Sequence, residues 1–198
     1  KIKNGIVVGY DTRFLSKEFA EKTAEVLGNA GIKVIISDKM SSTPMVSLLT
    51  KKLNAAGGVV ITASHNPAKY NGFKIKGDFG GPAHPEIIDR VEKELKKVIK
   101  SRVKSKKTFE QLVEKGLIKR IDFTSIYVED LKTKLDLPLI RSSAVKIAYD
   151  AMHGAGQGVM EQLVPVKVVL RSSFNPSFGG AHPEPLPQHL KGLSAAVV

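Results

Sequence analysis

Short apolar runs alternate along the chain with longer stretches whose apolar residues recur every three or four positions. Ile6-Val7-Val8, ended by Gly9, reads as a buried strand. Ser16 can cap the helix that follows. Phe19, Ala20, Thr23, Ala24, Leu27 and Ala30 lie at helical spacing, and Gly31 can close that helix. Val34-Ile35-Ile36 is a second strand, which completes a β-α-β unit with a right-handed crossover and a parallel strand pair. The pattern then repeats. Thr43-Pro44 opens a helix with Met45, Leu48, Leu49 and Leu53 as its stripe, Gly57-Gly58 break it, and Val59-Val60-Ile61 is a third strand. Phe73 and Ile75 alternate with lysines as a short exposed strand. From Pro85, the residues Ile87, Ile88, Val91, Leu95, Val98 and Ile99 give a long amphipathic helix.

From the basic stretch that follows to about residue 140 the pattern weakens. It reads as a connector holding one more helix, with Ile126, Leu131 and Leu135 on one side, before Pro138 interrupts. A second α/β unit starts with Val145 to Tyr149 as a strand, continues through the loop Asp150-Ala151-Met152-His153-Gly154-Ala155-Gly156, and adds a strand at Val166 to Leu170 and a helix over 187–198. The fold class is therefore α/β, with one domain over 1–140, a second over 141–198 and a boundary near 138–144. A helix from Gly156 would run through Leu163-Val164-Pro165 into the next strand with almost no loop, where two to six residues are usual. Both ends of the chain read as cut.

Composition narrows the picture. With 42% hydrophobic and 25% charged residues, the 198-residue chain can bury a core. No apolar run approaches the roughly 20 residues that a membrane helix needs. Cysteine is absent, which removes disulfides, thiol nucleophiles and thiolate metal sites and fits a cytoplasmic setting. The net charge of +12 invites an anionic partner. Seven of the basic residues crowd into Lys96 to Lys107, which reads first as a solvated helix end and linker. Nucleic-acid binding would need stacking aromatics or a known module beside that run, and neither is evident there.

The segment that carries chemistry is Thr62-Ala63-Ser64-His65-Asn66-Pro67, with Tyr70-Asn71-Gly72-Phe73-Lys74 after it. It follows the third strand directly, and ligands of open α/β sheets collect at the carboxyl ends of strands. Ser64 offers a hydroxyl, His65, Asn66 and the loop N–H groups offer donors, and Lys74 offers a full positive charge. That set suits phosphoryl transfer, which needs positioning and charge neutralisation. Acyl hydrolysis fits less well: His65 is awkwardly close in sequence to serve Ser64 as a separate base, and no G-x-S-x-G elbow is present. A Walker-type loop is also missing. His84, His182 and His189 lack zinc spacing. His153 in its glycine turn reads as part of a tight strand-to-helix connection rather than a phosphate ligand, and Phe174 and Phe178 as packing.

Thr62-Ala63-Ser64-His65-Asn66-Pro67, with a lysine ten residues after the serine in an Asn-Gly context, resembles the phosphoserine loop of the α-D-phosphohexomutase superfamily, which includes phosphoglucomutases and phosphomannomutases. Gly9-Tyr10-Asp11-Thr12-Arg13 and Ser42-Thr43-Pro44 resemble first-domain motifs of that family. The 150–156 loop and His182-Pro183-Glu184-Pro185 look like second-domain landmarks. The resemblance implies a three-layer α/β/α first domain and part of a similar second one. It implies that Ser64 carries a phosphoryl group, gives it to a hexose monophosphate and regains the other phosphate of a 1,6-bisphosphate such as glucose 1,6-bisphosphate. Lys74 would handle protons or sit beside phosphate, His65 would touch phosphate or substrate, and Asn66 would bind phosphate or support the loop. Asp11 and Arg13 would brace the loop, or form only a structural ion pair.

The family's Mg²⁺ is implied to bind through the Ser64 phosphate, with three aspartates of a D-G-D-x-D-R loop. This chain has no D-x-D, so those ligands, and the sugar-reading domains, are expected beyond Val198. The 198-residue chain is then expected to be inactive alone, with a hexose phosphate as the parent's substrate and no membrane partner. Two other readings stay open at this point: a polyanion- or nucleic-acid-binding α/β module driven by charge, and a catalytically silent relative of the mutases.

Overall fold

The computed structural model describes residues 2–98 and 106–197, with nothing of the Val98 side chain. The expected helix residue Ile99 and the middle of the basic run, 99–105, lie outside the described residues, as does Val198.

Five strands form the main sheet in the order β4-β3-β1-β2-β5. They are β1 (Ile6–Tyr10), β2 (Val34–Ser37), β3 (Gly57–Ile61), β4 (Phe73–Lys76) and β5 (Ile118–Ile121). β1 runs parallel to β2 and β3, β2 runs parallel to β5, and β4 closes one edge antiparallel to β3. Between the strands run α1 (Ser16–Asn29), α2 (Thr43–Lys52), α3 (Pro85–Val98), α4 (Phe109–Glu114) and α5 (Phe123–Lys132). Alternate strand residues face opposite sides of the sheet. Val8, Val59 and Ile61 pack with Ala20 and Ala24 of α1 and Leu112 of α4. Val7 and Val60 pack with Met45, Val46 and Leu49 of α2 and Phe123 of α5. The result is the expected three-layer α/β/α arrangement.

The second unit is smaller. β6 (Ala148–Asp150) pairs in parallel with β7 (Val168–Leu170), with α7 (Val159–Leu163) between them and α8 (Lys191–Val197) after them. α6 (Leu137–Ser142) occupies the expected domain boundary. Val128 of α5, Leu137 of α6 and Leu163 and Val164 at the end of α7 form one apolar cluster, which ties the two units together.

Several sequence expectations change. Gly9 does not end β1; it lies inside the strand, where a Cβ would collide with Ser41 Oγ and the Val46 side chain. Gly57 and Gly58 do not simply break α2. They open β3, and a Cβ on Gly58 would lie 2.5 Å from Thr50 Oγ1, so the bare backbone lets α2 approach the sheet. Ser16 is the first helical residue rather than the cap; Leu15 caps α1 in a left-handed conformation, and the Ser16 hydroxyl bonds Asp11 instead. The buried stripe of α1 is Ser16, Ala20, Ala24 and Gly28, while Phe19 is exposed. In α2, Val46 and Thr50 are buried in place of Leu48 and Leu53. The stripe of α3 is uncovered: Ile87, Val91 and Leu95 are all exposed, and no described residue of that helix is buried.

The expected connector is part of the sheet layer. Thr108 caps α4 by accepting from the Gln111 N–H, and Gly116 turns the chain with a φ of 68°. β5 then pairs with β2, and Arg120 on it bridges Glu21 of α1 and Glu110 of α4. Pro138 starts α6 instead of interrupting, since a first-turn proline lacks only an N–H that would have no helical partner. The strand expected from Val145 begins at Ala148, with Val145 exposed. A five-residue α7 leaves 164–167 as a loop of ordinary length. The final helix starts at Lys191, after a 3-10 turn over Pro187–His189.

Two stability experiments follow. Gly58→Val should destabilise the fold by about 1–3 kcal/mol through overpacking between α2 and β4, read as a lower urea midpoint; an unchanged midpoint would refute the close-approach argument. Asp122 caps α5 by accepting from the Ser125 N–H. Burial alone would raise its carboxyl, but the bonds from Ser125 and Lys39 outweigh that and hold it down at about 2. Its stabilisation is therefore full above the ordinary value of about 4 and is lost as pH falls toward about 2. Asp122→Ala should cost about 1 kcal/mol at pH 7, and the gap from wild type should close in acid denaturation curves over that interval.

Candidate active site

β1 connects through α1 to β2 on one side, and α2 then returns the chain across β1 to β3 on the other. That reversal opens a crevice at the carboxyl ends of β1 and β3. Tyr10 and Ile61 are register partners, so 11–13 and 62–64 emerge side by side, and the Asp11 N–H bonds the Ile61 carbonyl at 3.0 Å. Ser41 fastens the end of β2 to the same place: its N–H donates to the Tyr10 carbonyl and its hydroxyl accepts from the Tyr10 N–H.

Arg13 organises the loop. Its side chain has no exposed surface. Nε donates to Asp11 Oδ2 at 3.1 Å, one terminal nitrogen donates to the Pro67 and Tyr70 carbonyls at 2.9 and 3.0 Å, and the other donates to the Ser64 and Asn66 carbonyls, both at 2.8 Å. All five guanidinium N–H groups are thereby used. Asp11 also accepts from the Arg13 N–H and the Ser16 hydroxyl. Asn71 reaches across to the Ser16 hydroxyl, and the Thr62 N–H to Gly72 carbonyl bond at 3.0 Å closes the loop at its base.

On top of this frame, Ser64 is exposed and adopts the left-handed region with φ 59°. Its N–H is held by Thr62 Oγ1 at 2.9 Å, and its hydroxyl oxygen lies 3.4 Å from His65 Nδ1. His65, placed awkwardly by sequence, thus still reaches the hydroxyl. The cleft around them measures about 440 Å³ and includes Asp11, Thr12 and the 41–43 segment from the first unit and Asp150 to Met152, Phe178 and Pro183 from the second. Ser42 and Thr43 belong to the amino end of α2, whose free N–H groups and dipole favour an anion.

The structure brings Ser64, His65 and Asp11 to the cleft and places Arg13 beneath it. Asn66 contributes its backbone carbonyl to Arg13, and its side chain does not line the cleft. Lys74 is exposed on β4 opposite Val60, a residue that lines the cleft, but Lys74 itself stands outside the lining. Lys76, two positions further on that face, is buried, and burial together with the Lys74 charge lowers its ammonium pKa. Thr12, Ser41 and Phe178 were not singled out from the sequence as site residues. Thr12 and Ser41 sit two and four residues past the ends of β1 and β2, a positional signal that could have found them. Phe178 is packing, as expected, but against the Arg13 guanidinium, 5.1 Å from its ring centre, whereas Phe174 is exposed.

The residues do not by themselves make a Mg²⁺ site. Asp11 and Asp150 line the cleft, but Arg13 and Arg171 engage them. Burial would raise the Asp150 carboxyl, yet Arg171 and the Met152 N–H hold it below the ordinary range. No group of three or more His, Asp or Glu suited to a metal occurs among the described residues.

Known proteins match this arrangement along nearly the whole chain. Residues 1–102 match the family described as phosphoglucomutase/phosphomannomutase, alpha/beta/alpha domain I, and residues 125–198 match domain II of the same family. A phosphoglucomutase of Staphylococcus saprophyticus is 34% identical over 161 residues, covering 80% of this chain and 29% of that protein. A phosphoribomutase-type protein of Schizosaccharomyces pombe is 33% identical over 190 residues, covering 89% of this chain and 32% of that one. The crystal structure of a phosphomannomutase-type protein from Thermus thermophilus superposes with a TM-score of 0.84 at 32% identity, covering 97% of this chain and 43% of that one. The chain thus spans about three-tenths of the length of these two curated relatives. With matches to both domain I and domain II, the chain belongs to the phosphoglucomutase/phosphomannomutase family.

Proposed function

We propose that the chain is the phosphoryl-carrying part of a phosphohexomutase that interconverts hexose 1-phosphate and hexose 6-phosphate of glucose or mannose. The observation that supports this most is the placement of Ser64: an exposed hydroxyl at the sheet's switch point, on a loop whose carbonyls a buried arginine gathers from below. In this reading the bond between phosphorus and Ser64 Oγ breaks as a bond forms from phosphorus to a free sugar hydroxyl. The sugar hydroxyl gives its proton to a base and Ser64 Oγ takes one up as it leaves, so protons balance; Lys74 is that base only as the neutral amine, and as the ammonium it pairs with the phosphoryl oxygens instead. The 1,6-bisphosphate turns over in the cleft, and its other phosphate returns to Ser64 Oγ with the opposite bond changes. Net, phosphate moves between C1 and C6 and no atoms are lost.

His65, 3.4 Å from Ser64 Oγ, touches the phosphoryl group or the sugar. The amino end of α2 and the hydroxyls of Ser41 and Thr43 add neutralising dipoles along one wall. Asp11 and Arg13 hold the loop and take no part in the bond changes. Mg²⁺ belongs to this reading only with oxygen ligands from outside the described residues, and no step above is routed through it. The 198-residue chain is expected to show no turnover on its own.

Intact-mass analysis of the full-length protein tests the carrier. A phosphate-sized increment should map to Ser64 and vanish in Ser64→Ala, with mutase turnover reduced to near background. If the unphosphorylated protein instead binds oligonucleotides in a salt-dependent way and Ser64→Ala leaves that binding intact, the charge-driven alternative replaces this one. Lys74→Ala should lower kcat by roughly 100-fold or more, the scale of a lost proton-transfer or phosphate-neutralising group, with little change in the urea midpoint because Lys74 is exposed. Turnover close to wild type would remove Lys74 from the mechanism.

A further inference from the structure

Two neighbouring residues of the first unit, Thr12 and Arg13, are buried, and each is met by a different segment of the second unit. The Thr12 hydroxyl donates to the His153 carbonyl at 2.8 Å. The Arg13 guanidinium lies over the Phe178 ring at 5.1 Å, a cation–π contact with a ring that is only 4% exposed. Thus a single loop touches the phosphoserine segment through its carbonyl bonds and the second unit through these two contacts.

Both contacts are presented by unusual backbone. Met152 and His153 have φ of 50° and 56°, and Phe178 has φ 54°, followed by Gly179 and Gly180 at 67° and 78°. Left-handed conformations are unfavourable for non-glycine residues and persist when surrounding contacts fix them. The 150–154 turn is fixed by the Met152 N–H on Asp150, the His153 N–H on the Arg171 carbonyl and the His153 ring on the Ser173 carbonyl. The 178 turn is fixed by the Phe178 N–H on the Asn175 carbonyl and the Gly180 N–H on the Ser177 carbonyl. A tight turn alone would accept glycine at Phe178. The aromatic ring there lies over one face of the guanidinium plane, whose edges are taken up by the five hydrogen bonds.

We propose that Phe178 is a positioning residue: its ring seals the Arg13 guanidinium, with Thr12–His153 as the second fastening, so that the Ser64 loop holds its shape only while the second unit is docked on it. This deepens the phosphohexomutase reading and rests on Ser64 as the carrier. In chemical terms, losing the ring lets water into the buried surroundings of the guanidinium, where it can reach the donors and compete with the Ser64, Asn66, Pro67 and Tyr70 carbonyls for them. The carrier loop would then loosen although no residue touching the sugar had changed.

Hydrogen–deuterium exchange of the unphosphorylated full-length protein tests this. Phe178→Leu should speed exchange of peptides spanning 62–72 by roughly tenfold, in the manner of a local opening, and leave β1 and β3 peptides protected. Phe178→Tyr, which keeps the π face, should keep the loop protected. Thr12→Val should shift the same peptides in the same direction and serves as the deciding variant if Phe178→Leu unfolds the second unit, seen as lost protection in β6 and β7. Unchanged loop exchange in a folded Phe178→Leu, or in Thr12→Val where that variant decides, overturns the inference; so does equal loosening by Leu and Tyr. Because the readout needs no phosphate, the two readings separate: loop loosening in a protein that never carries phosphoserine would uphold the coupling and end the mutase assignment.

Discussion

A buried guanidinium must satisfy five donors at once, and the rest of the site is built around the way Arg13 does so. A charge without exposed surface and without partners would cost several kcal/mol even after relaxation. Asp11 supplies the counter-charge, and four carbonyls of the 64–70 segment supply the remaining acceptors. Four carbonyls that converge on one fork leave the loop little freedom, so its shape is imposed from below by a residue of the neighbouring strand end. The upper surface, with Ser64 and His65, then stays free of structural duty. Lysine could not substitute, because three donors on a flexible stem match neither the number nor the plane of these acceptors.

Arg13 can reach the loop only because of the order of the strands. β2 and β3 flank β1 on opposite sides, right-handed crossovers then put α1 and α2 on opposite faces of the sheet, and the carboxyl ends of β1 and β3 become neighbours although about 50 residues separate them in sequence. Glycines set the second dimension. Gly9 and Gly58 let α2 settle close to the sheet, which carries its amino end and the Ser41–Thr43 segment to the rim of the same crevice. Backbone thinness in the core and dipole placement at the cleft are consequences of the same two positions.

Much of this was legible in residue order. β1 to β3 and the helices between them announce themselves because buried parallel strands are nearly continuous in apolar residues and the helices repeat at their own period. Ser64 and His65 could be named because their loop stands immediately after a strand, whereas Asp11 and Arg13 stand out through the resemblance of the segment from Gly9 to Arg13 to a first-domain motif. β5 was not legible: Ile118-Lys119-Arg120-Ile121 is a short edge strand whose two central side chains face water, so its pattern is neither continuous nor alternating. The Thr108–Gln111 capping box and Gly116 beside it were local signals that could have exposed the end of the connector reading. The burial of Gly28 rather than Phe19 on α1 depended on where the Leu112 side chain would pack, which periodicity does not contain. The contact between Phe178 and Arg13 joins residues distant in the chain, and no spacing rule points to it.

The left-handed backbone at Ser64 has a consequence for which amino acids could ever occupy the position. An unbranched side chain such as serine's adopts a positive φ uncommonly, asparagine and aspartate more readily, while a β-branched side chain there is an outlier. Threonine carries the same reactive group and would differ by one methyl, yet that methyl would crowd the main chain at 59°. An alcohol of equal chemistry is thus disfavoured on stereochemical grounds, by a cost on the order of 1–2 kcal/mol.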